Sequence, residues 1–303
     1  MRILLTGKDG QLGYDLQACL GPSHHVFAYG RDRLNLEDPA MIREVIAQCR
    51  PDVIVNAAAY TAVDRAEQES DRAHAINAVA PQVMAVAAQD LGAAILHVST
   101  DYVFDGNHNV PYREEDPARP LGVYGQSKWL GEQAVQQGCD RHMVVRTAWV
   151  YGAGGKGNFV KTMVRLGAER EELRVVVDQV GTPTWTGDLA QAIGQFLHHL
   201  VPSDPRVAPV TGLYHFTNSG AISWYDFAVA IIEAATALGF PLKVKQVVPI
   251  TTAEYPTTAQ RPAYSVLSGQ KTASLLGHPA PHWRPGLWSM LGQLAKQQGL
   301  STS

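Results

Sequence analysis

The first 150 residues alternate short apolar runs with longer segments of helical periodicity. In a parallel sheet covered on both faces, strands read as continuous apolar runs and helices show one apolar stripe. Right-handed crossovers on such a chain predict a Rossmann-type α/β fold with a doubly wound parallel sheet, whose ligands bind beyond the carboxyl ends of the strands. The predicted strands are 2–6, 25–29, 53–56, 94–99 and 143–147, and the predicted helices are 11–20, 39–49, 73–91 and 123–137.

A glycine motif joins the first predicted strand to the first predicted helix. It consists of Gly7, Gly10 and Gly13, in the spacing G-x-x-G-x-x-G. A pyrophosphate site needs a tight turn, backbone N–H groups that a ligand can approach, and a helix packed close to the sheet. The helix N-terminus adds partial positive charge for the phosphates. The motif predicts a dinucleotide site and resembles that of the short-chain dehydrogenase/reductase superfamily.

The residues after the second predicted strand bear on the choice of cofactor. An NAD-selective site offers an acidic side chain to the ribose 2′-hydroxyl. Here Tyr29 is followed by Gly30 and Arg31, and a guanidinium favours the 2′-phosphate of NADPH. Asp32 follows one or two positions late and leaves NADH as an alternative.

The chain after residue 150 is less regular. Glycines crowd 152–157, and the segment 181–187 is rich in Gly, Pro and Thr. Predicted strands at 173–177, 213–217 and 243–248 alternate with helices at 188–200 and after Ser223, which forms a capping-box pattern with Asp226. We expect residues 1–150 to be the NAD(P)-binding Rossmann domain. Residues 151–303 are expected to form mainly a smaller, interleaved substrate-binding lobe, with some segments returning to the first domain.

Tyr124 and Lys128 provide a candidate acid–base pair. Their i, i+4 spacing on a predicted helix places the phenol and the ammonium on one face. A nearby cation favours phenolate, so we expect Lys128 and a nicotinamide cation to lower the phenol pKa. Thr100, at the end of the fourth strand, is placed to hydrogen-bond the same substrate oxygen. These residues suit hydride transfer to a carbonyl carbon with proton donation by Tyr124.

Composition argues against several other classes. With 25 Lys+Arg against 28 Asp+Glu, the net charge of −3 provides no basic field for nucleic acid or an anionic membrane. The three cysteines, Cys19, Cys49 and Cys139, lack metal-site spacing and suit a reducing compartment. No signal peptide or membrane-spanning apolar run is visible. We therefore expect a cytoplasmic protein without a zinc site.

Several stretches, in order along nearly the whole chain, resemble one family, the dTDP-4-dehydrorhamnose reductases. The resemblance implies reduction of the C4 keto group of dTDP-4-dehydro-6-deoxy-L-mannose by NADPH or NADH to dTDP-L-rhamnose. Family members often have an acidic residue in place of Asn35, which leaves the cofactor preference open. The matching stretches are LTGKDGQLG (5–13), RPDVIVNAAAYTAVD (50–64), STDYVFDG (99–106), VYGQSK (123–128), RTAWVYG (146–152), DQVGTPT (178–184) and RP (261–262).

The resemblance also implies residue roles. Gly10, Gln11 and Leu12 are expected at the pyrophosphate, and Trp149 at the substrate. Some family members hold Mg²⁺ at a subunit interface, to which Asp15 is a candidate contributor in a homodimer. With the residue-based predictions, the expected cofactor contacts are Gly7, Gly10, Gln11, Leu12, Gly13, Arg31, Asn35, Leu36, Ala59, Tyr60, Thr61, Tyr124 and Lys128, and the expected substrate contacts are Thr100, Asp101, Tyr102, Trp149, Gln179 and Arg261.

Two alternatives stay open at this point. One is another nucleotide-sugar enzyme, either a 4-epimerase that retains NAD or a 4,6-dehydratase. A dehydratase is expected to carry an Asp-Glu pair after the threonine, whereas Thr100 is followed by Asp101 and Tyr102. The other is a non-catalytic subunit, because a relative of this fold regulates methionine adenosyltransferase. Turnover distinguishes this second alternative from a reductase.

Overall fold

The computed structural model describes residues 1–204 and 206–300. Its strands are β1 (Arg2–Thr6), β2 (His25–Tyr29), β3 (Val53–Asn56), β4 (Ala94–Thr100), β5 (His142–Thr147), β6 (Val150–Tyr151), β7 (Glu172–Val176), β8 (Val180–Gly181), β9 (Thr184–Trp185), β10 (Gly212–His215), β11 (Ile222–Ser223) and β12 (Gln246–Ile250). Its α-helices are α1 (Gln11–Leu20), α2 (Pro39–Cys49), α3 (Val63–Ala66), α4 (Ser70–His74), α5 (Ala80–Asp90), α6 (Val123–Gly138), α7 (Phe159–Glu169), α8 (Thr186–Leu200), α9 (Trp224–Ala237), α10 (Gln270–Leu276) and α11 (Trp283–Gln297).

The central sheet has six strands in the order β10-β5-β4-β3-β1-β2. All of its pairings are parallel. The inner strands β3 and β4 are almost wholly buried, since helices cover both faces. The chain moves outward from β1 to β2 and then resumes on the other side of β1 with β3, so the switch point lies at the carboxyl ends of β1 and β3. The predicted doubly wound α/β fold is confirmed.

Local sequence explains where the helices begin. Asp38 caps α2 by accepting hydrogen bonds from the backbone of Ala40 and Met41, and Pro39 occupies the first helical position, where its missing N–H costs nothing. Ser223 and Asp226 form the predicted capping box of α9. The predicted helix at 73–91 begins earlier, at α4, and continues through a π-helical turn at Ala75–Val79 into α5.

The second part of the chain builds a separate apolar core and also returns to the sheet. Helices α7, α9 and α11 enclose a core that includes Phe227, Trp283 and Met290. Strand β10 adds to the edge of the central sheet beside β5, and α8 packs against α1. The segments 186–200 and 212–215 therefore lie against elements of the first 150 residues. Within the described residues, no helix combines the length and apolar character needed to cross a bilayer.

Candidate active site

A cavity of about 890 Å³ opens at the carboxyl ends of β1, β3 and β4, the switch point of the sheet. Large clefts at this position are the usual ligand sites of doubly wound folds. Most of the predicted site residues line it. These are Gly7, Gly10, Gln11, Leu12, Arg31, Asn35, Leu36, Ala59, Thr61, Thr100, Asp101, Tyr102, Tyr124, Lys128 and Trp149.

The glycine loop is shaped by close backbone contacts. Gly7 has φ +76°, a left-handed conformation that favours glycine. A Cβ at Gly13 would collide with the carbonyl oxygen of Gly7, so Gly13 allows the helix to pack but does not line the cavity. The N-cap of α1, Gly10, has no side-chain cap, which leaves backbone N–H groups of the first turn available to a ligand. This uncapped helix end beside a glycine turn fits a pyrophosphate.

A second glycine-rich loop, residues 152–157, lies against the first. Gly155 approaches the backbone of Gln11, and the Gln11 side chain bridges the Val150 carbonyl at 3.2 Å and Asn158 Nδ2 at 2.9 Å. The polar atoms of the Gln11 side chain thus have hydrogen-bond partners within the protein. Lys156 is exposed and lines the cavity, although the motif analysis did not select it. The feature of the sequence that could have identified Lys156 is its position inside a run of glycines.

The far end of the cavity carries several exposed charges. Lys8 Nζ lies 3.4 Å from Asp32 Oδ2, so Asp32 has a partner within the protein. Arg31 lines the cavity beside them, as a 2′-phosphate site requires. Arg72, which the sequence analysis missed, also lines the cavity and pairs with Glu37 at 3.3 Å. Arg72 lies far from the motifs in sequence and reaches the site only through the fold.

Tyr124, Lys128 and Thr100 meet where β4 ends and α6 begins. Thr100 Oγ1 donates to Asp101 Oδ1 at 2.9 Å, and Lys128 Nζ donates to the Val98 carbonyl at 2.7 Å. Burial raises the pKa of the Tyr124 phenol above its usual value, and the Thr100 hydroxyl partly opposes this. Lys128 does not contribute to this shift in the protein alone, because its ammonium contacts Val98 and desolvation dominates. Tyr124 is therefore a protonated phenol at neutral pH. The expectation that Lys128 and a nicotinamide cation together lower the phenol pKa stays a prediction.

Asp101 and Tyr102 complete this part of the wall. Burial raises the pKa of the Asp101 carboxyl to about 6, although hydrogen bonds from Ser265 and Thr100 oppose the shift. Burial likewise raises the pKa of Tyr102 to about 12. The ring of Tyr102 meets that of Tyr124 edge-on, with centroids 5.4 Å apart. This part of the wall is thus lined by polar groups whose raised pKa values favour their uncharged forms.

Trp149, a predicted substrate contact, lines the cavity, and its ring is held by packing. It has φ +46°, a rare conformation for a large side chain, and its ring stacks on Trp224 at 3.5 Å with an 8° interplanar angle. The same ring lies against Gly181, where a side chain would collide with it. Packing from the second lobe therefore fixes the orientation in which Trp149 faces the cavity.

Three further predicted contacts do not line the cavity. The Tyr60 hydroxyl donates to Glu69 at 2.9 Å, and its backbone N–H donates to Asn77 at 2.8 Å. Gln179 Nε2 donates to Thr252 Oγ1 at 3.1 Å.

Arg261 lies one layer behind the cavity wall. Its guanidinium pairs with Asp64 at 2.9 Å and reaches the Tyr102 hydroxyl at 3.3 Å. The polar atoms of Tyr60, Gln179 and Arg261 thus have partners within the protein, and their direct contacts with a ligand stay predictions.

Asp15 lies outside the cavity lining. It accepts a hydrogen bond from the Thr186 hydroxyl, and burial raises its pKa. Among residues 1–204 and 206–300 there is no group of three or more His, Cys, Asp or Glu side chains arranged to hold a metal ion.

Comparison with known proteins assigns the chain to a family. Residues 1–296 match the family model described as the RmlD substrate binding domain. A dTDP-4-dehydrorhamnose reductase of Escherichia coli (strain K12) is 42% identical, with 97% of this chain and 98% of that protein covered. One from Burkholderia thailandensis is 42% identical over 94% of this chain and 96% of the relative.

Solved structures agree with the sequence comparison. The dTDP-4-dehydrorhamnose reductase of Bacillus anthracis in complex with NADP is 38% identical, with a TM-score of 0.88 and coverage of 96% of this chain and 99% of that one. A UDP-glucose 4-epimerase from Thermus thermophilus, at 19% identity and a TM-score of 0.77, shares the fold alone. The chain therefore belongs to the family of dTDP-4-dehydrorhamnose reductases.

Proposed function

We propose that this protein reduces the C4 keto group of dTDP-4-dehydro-6-deoxy-L-mannose with NADPH, giving dTDP-L-rhamnose. The observation that carries the proposal is the placement of Tyr124, Lys128 and Thr100 in the same cavity as the glycine loop. The family assignment supports it, and a homologous structure of that family contains NADP. The family assignment also argues against the epimerase, dehydratase and regulatory alternatives.

The cavity fits a dinucleotide at one end and a sugar at the other. The uncapped N-terminus of α1 and the glycine turn suit the pyrophosphate, and Arg31 suits a 2′-phosphate. When bound, the nicotinamide cofactor supplies a hydride, which is two electrons and one hydrogen, to the C4 carbon. NADPH over NADH stays a prediction, because Asp32 lies beside Lys8 at the same end.

Tyr124 supplies the proton that completes the reduction. As the C4 carbonyl becomes an alkoxide, its oxygen becomes a far stronger base and takes the phenolic hydrogen, so that the keto group ends as a hydroxyl. The raised pKa of Tyr124 keeps that hydrogen in place until this moment. The Thr100 hydroxyl is placed to orient the oxygen. Lys128, one helical turn from Tyr124, is placed to meet the phenolate that remains.

The test compares the wild type with Tyr124→Phe and measures consumption of reduced nicotinamide by absorbance and product identity by chromatography. We expect the variant to lose roughly 100-fold or more in turnover while its affinity for NADPH is unchanged, because only the general acid is removed. Tyr255→Phe, at an exposed position outside the cavity lining, is the matched control and should retain full activity. A Tyr124→Phe protein with more than a tenth of wild-type turnover would contradict the role of the phenol.

A homodimer and an interfacial Mg²⁺ bound through Asp15 also stay predictions. They are tested by sedimentation of the protein with Mg²⁺ and with a chelator, compared with Asp15→Asn. A dimer that dissociates in the chelator and in the variant supports both. A mass that depends on neither condition contradicts the role of Mg²⁺.

A further inference from the structure

A buried histidine lies directly behind Lys128, and the proposed reaction does not use it. His97 is in the interior of β4 with no exposed surface. Its Nε2 atom lies 3.1 Å from Lys128 Nζ. Lys128 is itself 1% exposed, so the two groups interact away from solvent, where an electrostatic interaction is strongest.

A chain of hydrogen bonds fixes where the hydrogen of the His97 ring is. The backbone N–H of Ala58 donates to Thr6 Oγ1 at 3.3 Å, and Thr6 Oγ1 donates to Asn56 Oδ1 at 2.7 Å. With its oxygen engaged, Asn56 presents Nδ2 to His97 Nδ1 at 3.0 Å. An amide nitrogen is only a donor, so Nδ1 is the acceptor. A neutral imidazole has one donor and one acceptor, so this arrangement indicates that the ring hydrogen is on Nε2, facing Lys128.

The groups that surround His97 and Lys128 are either uncharged or paired with an opposite charge. Strands β1 and β3 contribute the uncharged Thr6 and Asn56. Helix α6 contributes Tyr124 and Glu132, and β5 contributes Arg146, which pairs with Glu132 at 2.7 Å.

Asp101 lines the cavity together with Tyr124. Burial and the charge of Lys128 hold the pKa of His97 well below its usual value, so the ring is neutral. Burial lowers the pKa of Lys128 to about 8, and Glu132 partly opposes this shift.

We propose that His97 is a positioning residue for Lys128, which presents an N–H to the lysine nitrogen and so favours the uncharged amine over the ammonium. An ammonium has three hydrogens and no lone pair, so it cannot accept this hydrogen bond, whereas an amine can. Lys128 then exchanges a proton close to neutral pH and is not a permanent cation. The consequence for turnover rests on the proposed function, but the hydrogen-bond arrangement does not.

The arrangement is tested without turnover, by NMR of wild-type protein labelled with ¹⁵N-histidine. Long-range ¹H–¹⁵N correlations show which ring nitrogen carries the hydrogen, and the His97 signals are those changed by Lys128→Met. We expect hydrogen on Nε2 only, and a shift of the Nε2 signal near pH 8 that is absent in Lys128→Met. Hydrogen on Nδ1, or an imidazolium forming near pH 6.5, would overturn the proposal. Because the ring is observed in the wild type, the result does not depend on the folding of a His97 variant.

The functional consequence is tested with His97→Gln. The introduced side chain can turn its amide oxygen toward Lys128 and stabilise the ammonium. We therefore expect the pH at which NADPH affinity and kcat/KM fall on the alkaline side to rise by about one unit in both profiles. This is a tenfold change in the protonation equilibrium of Lys128. His215→Gln is the matched control, since His215 is equally buried in the same sheet at β10. An unmoved limb, a limb moved down, or equal changes in both variants would contradict the proposal. A wild type that binds NADPH but does not reduce the sugar contradicts the proposed function alone.

Discussion

The two walls of the cavity differ in how far their charged and titratable groups are exposed to solvent. The nucleotide wall, defined by Lys8, Arg31, Asp32, Glu37 and Arg72, is partly open to solvent, and its ion pairs are 28% to 59% exposed. The reaction wall, defined by Thr100, Asp101, Tyr124, Lys128 and the underlying His97, is at most 9% exposed. Solvent and salt screen charges on the first wall, whereas burial shifts protonation equilibria on the second. One cleft thus combines charges that solvent screens with buried groups whose protonation equilibria are shifted by burial.

The difference also governs how much a substitution costs. On the reaction wall a lost partner leaves a group that water cannot reach, and on the nucleotide wall water replaces the partner. The following experiments test this distinction.

The largest effect is expected from Glu132→Gln, which breaks the ion pair behind the reaction wall. The side chains of Glu132 and Arg146 are 0% and 4% exposed, and removing one charge leaves the other buried and unpaired. We expect a loss of about 3–5 kcal/mol in the free energy of unfolding, measured by denaturant titration.

Glu169→Gln is the matched control for this change, because it breaks an exposed pair with Arg165 on α7. It should cost about 0.5 kcal/mol or less. Similar losses in both variants would contradict the distinction between buried and exposed charge.

The next effect is the pH dependence of stability that Asp101 contributes. Burial raises its pKa from the usual 3.8 to about 6 in the folded state. Between these values the folded protein binds more protons than the unfolded one, so the contribution of Asp101 to stability falls as pH rises from about 4 to 6. We expect the free energy of unfolding of the wild type, relative to Asp101→Asn, to fall by about 2.5 kcal/mol between pH 4 and pH 7. A constant difference across this range would contradict the raised pKa.

The smallest effect is expected on the nucleotide wall. Arg31→Ala should weaken NADPH binding by about tenfold, roughly 1.4 kcal/mol, and leave NADH binding unchanged, because only NADPH carries a 2′-phosphate. Fluorescence titration at two salt concentrations measures both, and the effect should shrink at high salt. Arg33→Ala, in the same turn but outside the cavity lining, is the control. Equal losses for NADPH and NADH would contradict a 2′-phosphate role for Arg31.

Features encoded within a few adjacent residues could be predicted from the sequence. The bounds of α1 and α2 agree with prediction, because a glycine turn and a proline with an aspartate cap mark their starts. Tyr124 and Lys128 share a wall because helical spacing alone places them together.

The direction in which a side chain points across the fold could not be predicted. Tyr60 and Arg261 are close to the cavity but turn to Glu69 and Asp64, partners brought near by tertiary packing. One feature of the sequence pointed to His97, because it is a titratable residue inside a buried, mainly apolar strand. Its partners, Asn56 and Lys128, are 41 and 31 residues away and become evident only in three dimensions.

A lysine of α7 provides the positive charge that the carbonyl oxygens of the loop at 152–157 face. Lys161 Nζ donates to the carbonyls of Ala153, Gly154 and Gly155 at 2.7, 3.0 and 3.0 Å, so that a tethered ammonium occupies the position a dissolved cation would take among converging oxygens. In a trans peptide the C=O and N–H point in opposite directions, so the amide hydrogens of these three peptide groups point away from Lys161. One lysine in α7 thereby gives this loop a fixed polarity that does not depend on ions from solution.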